Sequence, residues 1–548
     1  MDGRSRADLV KPRRVVPRAP VSAIAPRIDL LAWAIGSLAA IAPLWAGRNL
    51  PLVDLPQHLY VISVLHRLRD ATTLYPLYFD LRQGPNPYFG YYYLVGLLHT
   101  LLPLELANRV FLSAYAAGLP LSLAFLLRSL KRPAWPALLA VPFAYGDGLA
   151  WGFINYCAAL PLTFLSLGLC LRALTATARR ALWAVLFTAS LAAVLAMHIQ
   201  PLAYLALALP FLLLTTPVPA DRSPGSFGAR LGSRWPVLLG LAPAALAGAG
   251  WLALRLRHPT EVAYGVPGKA WGPLLSWANL PYDPFADRLA SLWQLPANLF
   301  QDGSDRWGLH VASALALFAV FIASLTARQR QHSAESWPER SRLVGLSALG
   351  FALVFAMPRD IRGYMYYVAP RFVLLAAPLL IVSVPRLPAR PARAFLWLAA
   401  ACAIVTAVPL CRGFAAFDRE ARSLAPLVAA AGERPMVMGL MFDPYSRVVA
   451  HPVYQHSAAV IARERGGVPD YSFILAPYSP VRFRVAAPPP LPYGEWEPSA
   501  FDYAAQGWAY DHFLVRGADP ARVFGSRLGN ELAIAARSGD FWLVRRKR

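Results

Sequence analysis

The chain has 548 residues, 57% of them hydrophobic and only 15% charged, against roughly 45–50% apolar and 25% charged in a soluble globular protein. That balance excludes a chain that is water-soluble throughout and makes it a membrane protein. The net charge of +23 would suggest nucleic acid if the basic residues formed one face or tail. They instead fall in short clusters between apolar runs, the pattern that orients a multi-pass chain in a bilayer, so the expected partner is lipid and no nucleic acid.

Residues 1–27 form a basic N-terminus, with Arg4, Arg6, Lys11, Arg13, Arg14 and Arg18 ahead of the apolar run 28–47. The run has the length of about 20 residues that a crossing helix needs and lacks a small-residue cleavage site, so it reads as a retained anchor with a cytoplasmic N-terminus. Further basic clusters stand near Lys131, Arg179, Arg230, Arg340 and Arg390. If all are cytoplasmic, even numbers of crossings separate them. Segment 86–103 is then an interfacial stretch and not a span. The remaining runs pair as 134–150 with 153–172, 181–197 with 201–217, 236–254 with 307–327, and 343–357 with 373–385, joined by 106–127 before them and 394–411 after. The total is about eleven crossings. The expected fold class is a polytopic α-helical membrane protein: a transmembrane domain over 28–412 with outer loops 48–105, 257–306 and 358–372, then a C-terminal extracytoplasmic α/β domain over 413–548. That last region is long enough to fold alone.

The chemistry-bearing residues lie on the outer face. Asp54, in Val53-Asp54-Leu55-Pro56-Gln57-His58, shares a helical face with His58 if helix starts here. It equally suits an N-cap, with Pro56 in the first turn and Gln57 at the capping-box position. Asp147, between Gly146 and Gly148, is either a turn residue or a functional acid at the bilayer boundary. Two outer carboxylates suit a divalent metal such as Mg or Mn, or deprotonation of an acceptor. His198 opens another outer turn, as a candidate ligand contact or an interfacial histidine. Loop 358–372 carries Arg359, Arg362 and Arg371 beside Tyr364, against the positive-inside tendency; they suit a lipid phosphate or an interfacial belt. Asp443, Tyr445, His451 and His456 in the C-terminal region face the membrane site or the surface. A phosphate-binding loop, HExxH, GxSxG and paired CxxC are absent from the sequence, which counts against ATP-driven transport and zinc peptidase chemistry.

This layout resembles the GT-C superfamily of multi-pass, lipid-sugar-dependent glycosyltransferases. The likeness rests on Asp54 soon after the first span, then Pro85-Asn86-Pro87-Tyr88-Phe89-Gly90-Tyr91-Tyr92, then Ala107-Asn108-Arg109-Val110. These are similar in order and spacing to the first loop of the aminoarabinose and protein-mannose transferase branch. The Asp54-Leu55-Pro56-Gln57-His58 segment is also similar to an Asp-x-Pro-x-His motif in a group of bacterial membrane proteins. In the first branch an Asp-Glu pair stands where this chain has Asp54-Leu55. The resemblance implies a bacterial inner-membrane enzyme that moves a sugar from a polyprenyl-phosphate-linked donor to a glycan, lipid or protein acceptor. It implies Asp54 as base or metal ligand, Asp147 as its partner, and Arg362 and Arg371 as donor-phosphate contacts. A membrane scaffold that has lost the chemistry and a transporter are the rival readings.

Overall fold

The computed structural model describes residues 24–84, 86–176, 178–217, 234–257, 280–327, 337–361, 365–476, 478–491 and 495–547. Among these, five helical stretches are long and apolar enough to cross a membrane: Leu104–Ser129, Ile154–Thr175, Arg180–Met197, Arg306–Thr326 and Ala389–Ala430. Shorter apolar helices run over Asp29–Trp45, Ile199–Thr215, Val237–Trp251 and Val368–Ile381. Helix Ile154–Thr175 packs between Leu104–Ser129 and Arg180–Met197, while Ala389–Ala421 runs along Ile24–Ile41 and Arg306–Ala327.

Segment 134–150, read above as a span, is not one α-helix. Trp135–Tyr145 is a three-ten helix and Asp147–Ala150 a single α-turn. Pro136 at its start and Pro142 inside it remove two backbone donors. At about 2 Å per residue a three-ten helix is longer than an α-helix of equal sequence. Every side chain from Trp135 to Ala150 is buried, because this rod lies inside the bundle against Leu104–Ser129, Arg306–Ala327 and Ala389–Ala421. In segment 86–103 only Phe89–His99 is helical. At 1.5 Å per residue it covers roughly half of a ~30 Å bilayer core. It buries Tyr91 and Tyr92 and turns Tyr93, Leu94 and Leu97 outward.

The described strands are β1 (Phe79–Leu81), β2 (Met436–Met441), β3 (Val468–Pro469), β4 (Val481–Phe483), β5 (His512–Arg516), β6 (Leu532–Ser538) and β7 (Phe541–Arg546). Five of them form a mixed sheet in the order β3-β2-β5-β7-β6. β2 is parallel to β3 and β5, and β7 is antiparallel to β5 and β6. Helix Ser457–Arg465 makes the crossover from β2 to β3. It ends at Gly466, whose φ of +68° suits the left-handed cap and brings the turn against Thr73.

Strand β1 belongs to the first loop yet pairs antiparallel with β4, from far along the chain. Leu74 N–H donates to Gly466 O (2.8 Å) and Tyr60 Oη to Gly467 O (3.0 Å). These bonds join residues 60–81 of the first loop to the sheet region.

Candidate active site

Asp54 lies in the turn that leads into helix Leu55–His66, and that turn is stitched to the one after Asp147–Ala150. Val53 N–H donates to Ala150 O and Asp54 N–H to Trp151 O, both at 3.0 Å. Gly152 closes that turn with φ +85°, and a Cβ there would stand 2.7 Å from Asp54 N. Both its conformation and its contact therefore require glycine. Asp54 stands at the N-cap position of helix Leu55–His66 with Pro56 in the first turn, as expected, but its side chain makes no cap hydrogen bond. Gln57 also leaves the capping role: its Nε2 donates to Tyr471 O (3.0 Å) and its Oε1 accepts from Phe473 N–H (3.2 Å).

The Asp54 carboxylate instead meets a histidine from the sheet region. Its Oδ1 is 3.4 Å from His456 Nε2, and His456 Nδ1 is 2.5 Å from Glu495 Oε2. His456 and Glu495 are buried, and the His456 ring stacks on Tyr471. Burial opposes charge on His456, but Glu495 and Asp54 outweigh it and push its pKa up to about 10. A protonated imidazole thus sits between two carboxylates. Asp470, also buried, has its pKa raised by burial and by Glu495, while its Oδ1 accepts from Gly439 N–H.

His58 shares the cavity with Asp54. Its Nε2 lies 3.1 Å from Gly152 O and its Nδ1 2.8 Å from Tyr92 Oη. Nε2–H donates to the carbonyl and Nδ1 accepts from the tyrosine, which uses both ring nitrogens. Burial lowers its pKa to about 4 against the opposing pull of Asp54, so the ring is neutral at pH 7. The ring locks the Gly152 turn to helices Leu55–His66 and Phe89–His99.

Asp147 is placed differently. Its N–H donates to Leu295 O (3.0 Å), and its Oδ1 is 2.9 Å from His451 Nε2. Both residues are buried, and Trp151 stands edge-on to the His451 ring. Asp147 borders a small void behind Tyr367 and Arg371, apart from the cavity that Asp54 lines. Oδ1 of each acid points to a different histidine. Among the described residues no group of three or more His, Cys, Asp or Glu side chains is arranged to hold a metal ion. The donor set therefore does not fit a Mg or Mn ion bridging Asp54 and Asp147.

Arg371 and His198 form the opposite wall, with Arg371 Nη1 3.0 Å from His198 Nε2. His198 Nδ1 accepts from Gln200 N–H (3.1 Å), capping helix Ile199–Thr215. Burial and then Arg371 hold the His198 pKa well below its ordinary value. The ring is neutral, and the Arg371 guanidinium set against it brings N–H donors to this wall. A guanidinium of this kind suits an oxyanion. The Arg371 guanidinium lies 3.8 Å from the centre of the Phe153 ring.

Arg359 is elsewhere: it pairs with Asp283 (3.5 Å) and Asp360 (3.7 Å) and lies over Tyr367. It lines no part of the cavity. Arg362 and Tyr364 lie outside the described residues. Asp443 pairs with Arg516, and Tyr445 is half exposed, so neither reaches the site.

Asp54, His58, His198, His456 and Arg371 thus surround one cavity of about 420 Å³. Its remaining walls are mostly aromatic, with Tyr88, Trp151, Phe153, Tyr367, Phe473 and Trp496 among them. Glu495 and most of the aromatic walls escaped the sequence reading. The one signal for Glu495 was an acid in an otherwise proline- and aromatic-rich stretch, Gly494-Glu495-Trp496-Glu497-Pro498.

No family model and no curated protein matches the chain. Among solved structures it is similar to ArnT from Cupriavidus metallidurans bound to undecaprenyl phosphate. There the identity is 13%, with 95% of this chain and 98% of that one covered and a TM-score of 0.43. It is also similar to the Archaeoglobus fulgidus oligosaccharyltransferase tethered with an acceptor peptide. That match has 14% identity, covers 89% of this chain and 69% of that one, and has a TM-score of 0.44.

Proposed function

We propose that the cavity is the active centre of a membrane glycosyltransferase. It takes a sugar from a polyprenyl-phosphate carrier and passes it, with inversion, to a glycan, lipid or protein acceptor on the outer face. One observation carries this reading: a carboxylate, Asp54, and a guanidinium, Arg371, set against His198, face a single aromatic-walled cavity between the apolar bundle and the sheet region. The acceptor O–H or N–H gives its proton to Asp54 as its lone pair forms the bond to the anomeric carbon. The carbon–oxygen bond to phosphate breaks, and the phosphate leaves with that electron pair, stabilised by Arg371. The aromatic rings provide flat apolar faces for the sugar. In this reading His58 and the Asp147–His451 pair shape the site without exchanging protons. About eleven crossings in a bacterial inner membrane, a cytoplasmic N-terminus and an outer C-terminal domain over 413–548 complete it.

The test is transfer by purified protein from a labelled polyprenyl-phosphate sugar. Asp54→Asn is expected to lower kcat by about a thousandfold, as loss of a general base typically does. Full transfer by Asp54→Asn would remove Asp54 from the chemistry.

A further inference from the structure

Glu495 is the most deeply enclosed acid near the cavity. It has no exposed surface and adopts a positive φ of 71° that a side-chain-bearing residue rarely takes. Its backbone is already held, because Gln455 Nε2 donates to Glu495 O (2.5 Å). Anchoring the loop therefore does not require its carboxylate. That carboxylate reaches His456 Nδ1, and the other edge of the same ring reaches Asp54 Oδ1. The ring is further fixed by stacking on Tyr471 and by an edge contact with Phe473. A carboxylate that engages one imidazole nitrogen determines where the other nitrogen points.

We propose that Glu495 and His456 are positioning residues for Asp54. Glu495 orients His456, and His456 Nε2–H holds Oδ1 of Asp54 so that the second oxygen is presented to the acceptor. The proposal rests on the assignment of Asp54 as base. Neither positioning residue exchanges a proton with substrate. Their effect belongs to the step in which the acceptor is attacked, not to donor binding, which lies on the Arg371 side of the cavity.

The experiment uses the full-length protein in detergent or nanodiscs with a labelled polyprenyl-phosphate sugar. Glu495→Gln keeps the size of the side chain and removes its charge. It is expected to lower kcat by about tenfold to a hundredfold, with donor KM changed by less than about threefold. Glu495→Asp is expected to recover at least about fivefold of that loss. His456→Gln is expected to retain more activity than His456→Ala, because its amide can still donate to Asp54. A kcat change below about twofold in Glu495→Gln, a KM that rises in step with the loss, or no recovery in Glu495→Asp would overturn the proposal. A second readout does not depend on transfer: the rate at which a carbodiimide labels Asp54, followed by mass spectrometry. Glu495→Gln is expected to change that rate by more than about threefold at a temperature where the variant remains folded, and an unchanged rate would overturn the positioning role. If the wild type transfers no sugar but the labelling rate responds, the transfer reading fails and the positioning stands.

Discussion

Two acids lie where helices meet the sheet region, and each is matched with one histidine from that region, yet the two pairs differ in their surroundings. Asp147 and His451 are 2.9 Å apart, both buried, with Trp151 against the ring. Asp54 and His456 are 3.4 Å apart; Asp54 lines the cavity, and His456 continues to Glu495. The same residue types therefore serve two purposes. An enclosed pair at hydrogen-bond distance ties two parts of the chain together, whereas a looser pair open to a cavity leaves a carboxylate available to a reactant. Residue identity does not separate them; access does.

That contrast can be broken most directly at the enclosed pair. His451→Ala leaves Asp147 buried without its partner, and the expected cost is about 3 kcal/mol of stability, read as a fall of several degrees in Tm in detergent. Transfer at a temperature where the variant remains folded is expected to change by less than about tenfold. A variant with unchanged Tm and abolished transfer would reverse the two roles.

Titration sharpens the comparison on the Asp54 side. The pKa of His58 is about 4 in the folded protein against 6.5 when exposed, so unfolded chains bind the proton more readily. Its contribution is fully present above pH 6.5 and is lost as pH falls toward 4, up to about 3 kcal/mol in all. His456, raised to about 10, acts in the opposite sense: its contribution is complete below its unfolded pKa of 6.5 and fades as pH rises toward the folded value. Thermal unfolding scanned across pH is expected to show decline on both flanks. His58→Gln is expected to flatten the acid flank alone, and an unchanged acid flank would contradict the assignment.

The smallest expected effect concerns the anion wall. Arg371→Lys keeps a positive charge but loses the planar fork, and donor KM is expected to rise by about tenfold. Unchanged kcat and donor KM would place Arg371 away from the phosphate.

Asp54, His58, His198 and Arg371, which line one cavity, stood out in the sequence because charge placement and span length mark the turns between apolar runs without any knowledge of packing. The limits came from packing. Asp54 has the sequence surroundings of an N-cap, yet its carboxylate turns to a histidine from far along the chain, and no local pattern encodes that partner. Arg359 and Arg371 look equivalent in one loop, but neighbouring acids capture Arg359 while Arg371 faces His198. The run 134–150 has a span's hydropathy, and its two prolines were the overlooked clue to a three-ten rod. The Glu495 carboxylate reads as surface charge until the fold turns it inward.

The ribbon joining residues 79–81 to 481–483 has a consequence for biogenesis. Strand β1 and Asp54 are synthesised and inserted long before β4, His456 and Glu495 emerge from the ribosome. The pocket is therefore among the last features a nascent chain completes, and a prematurely terminated copy, although integrated in the bilayer, carries an acid with no imidazole to receive it.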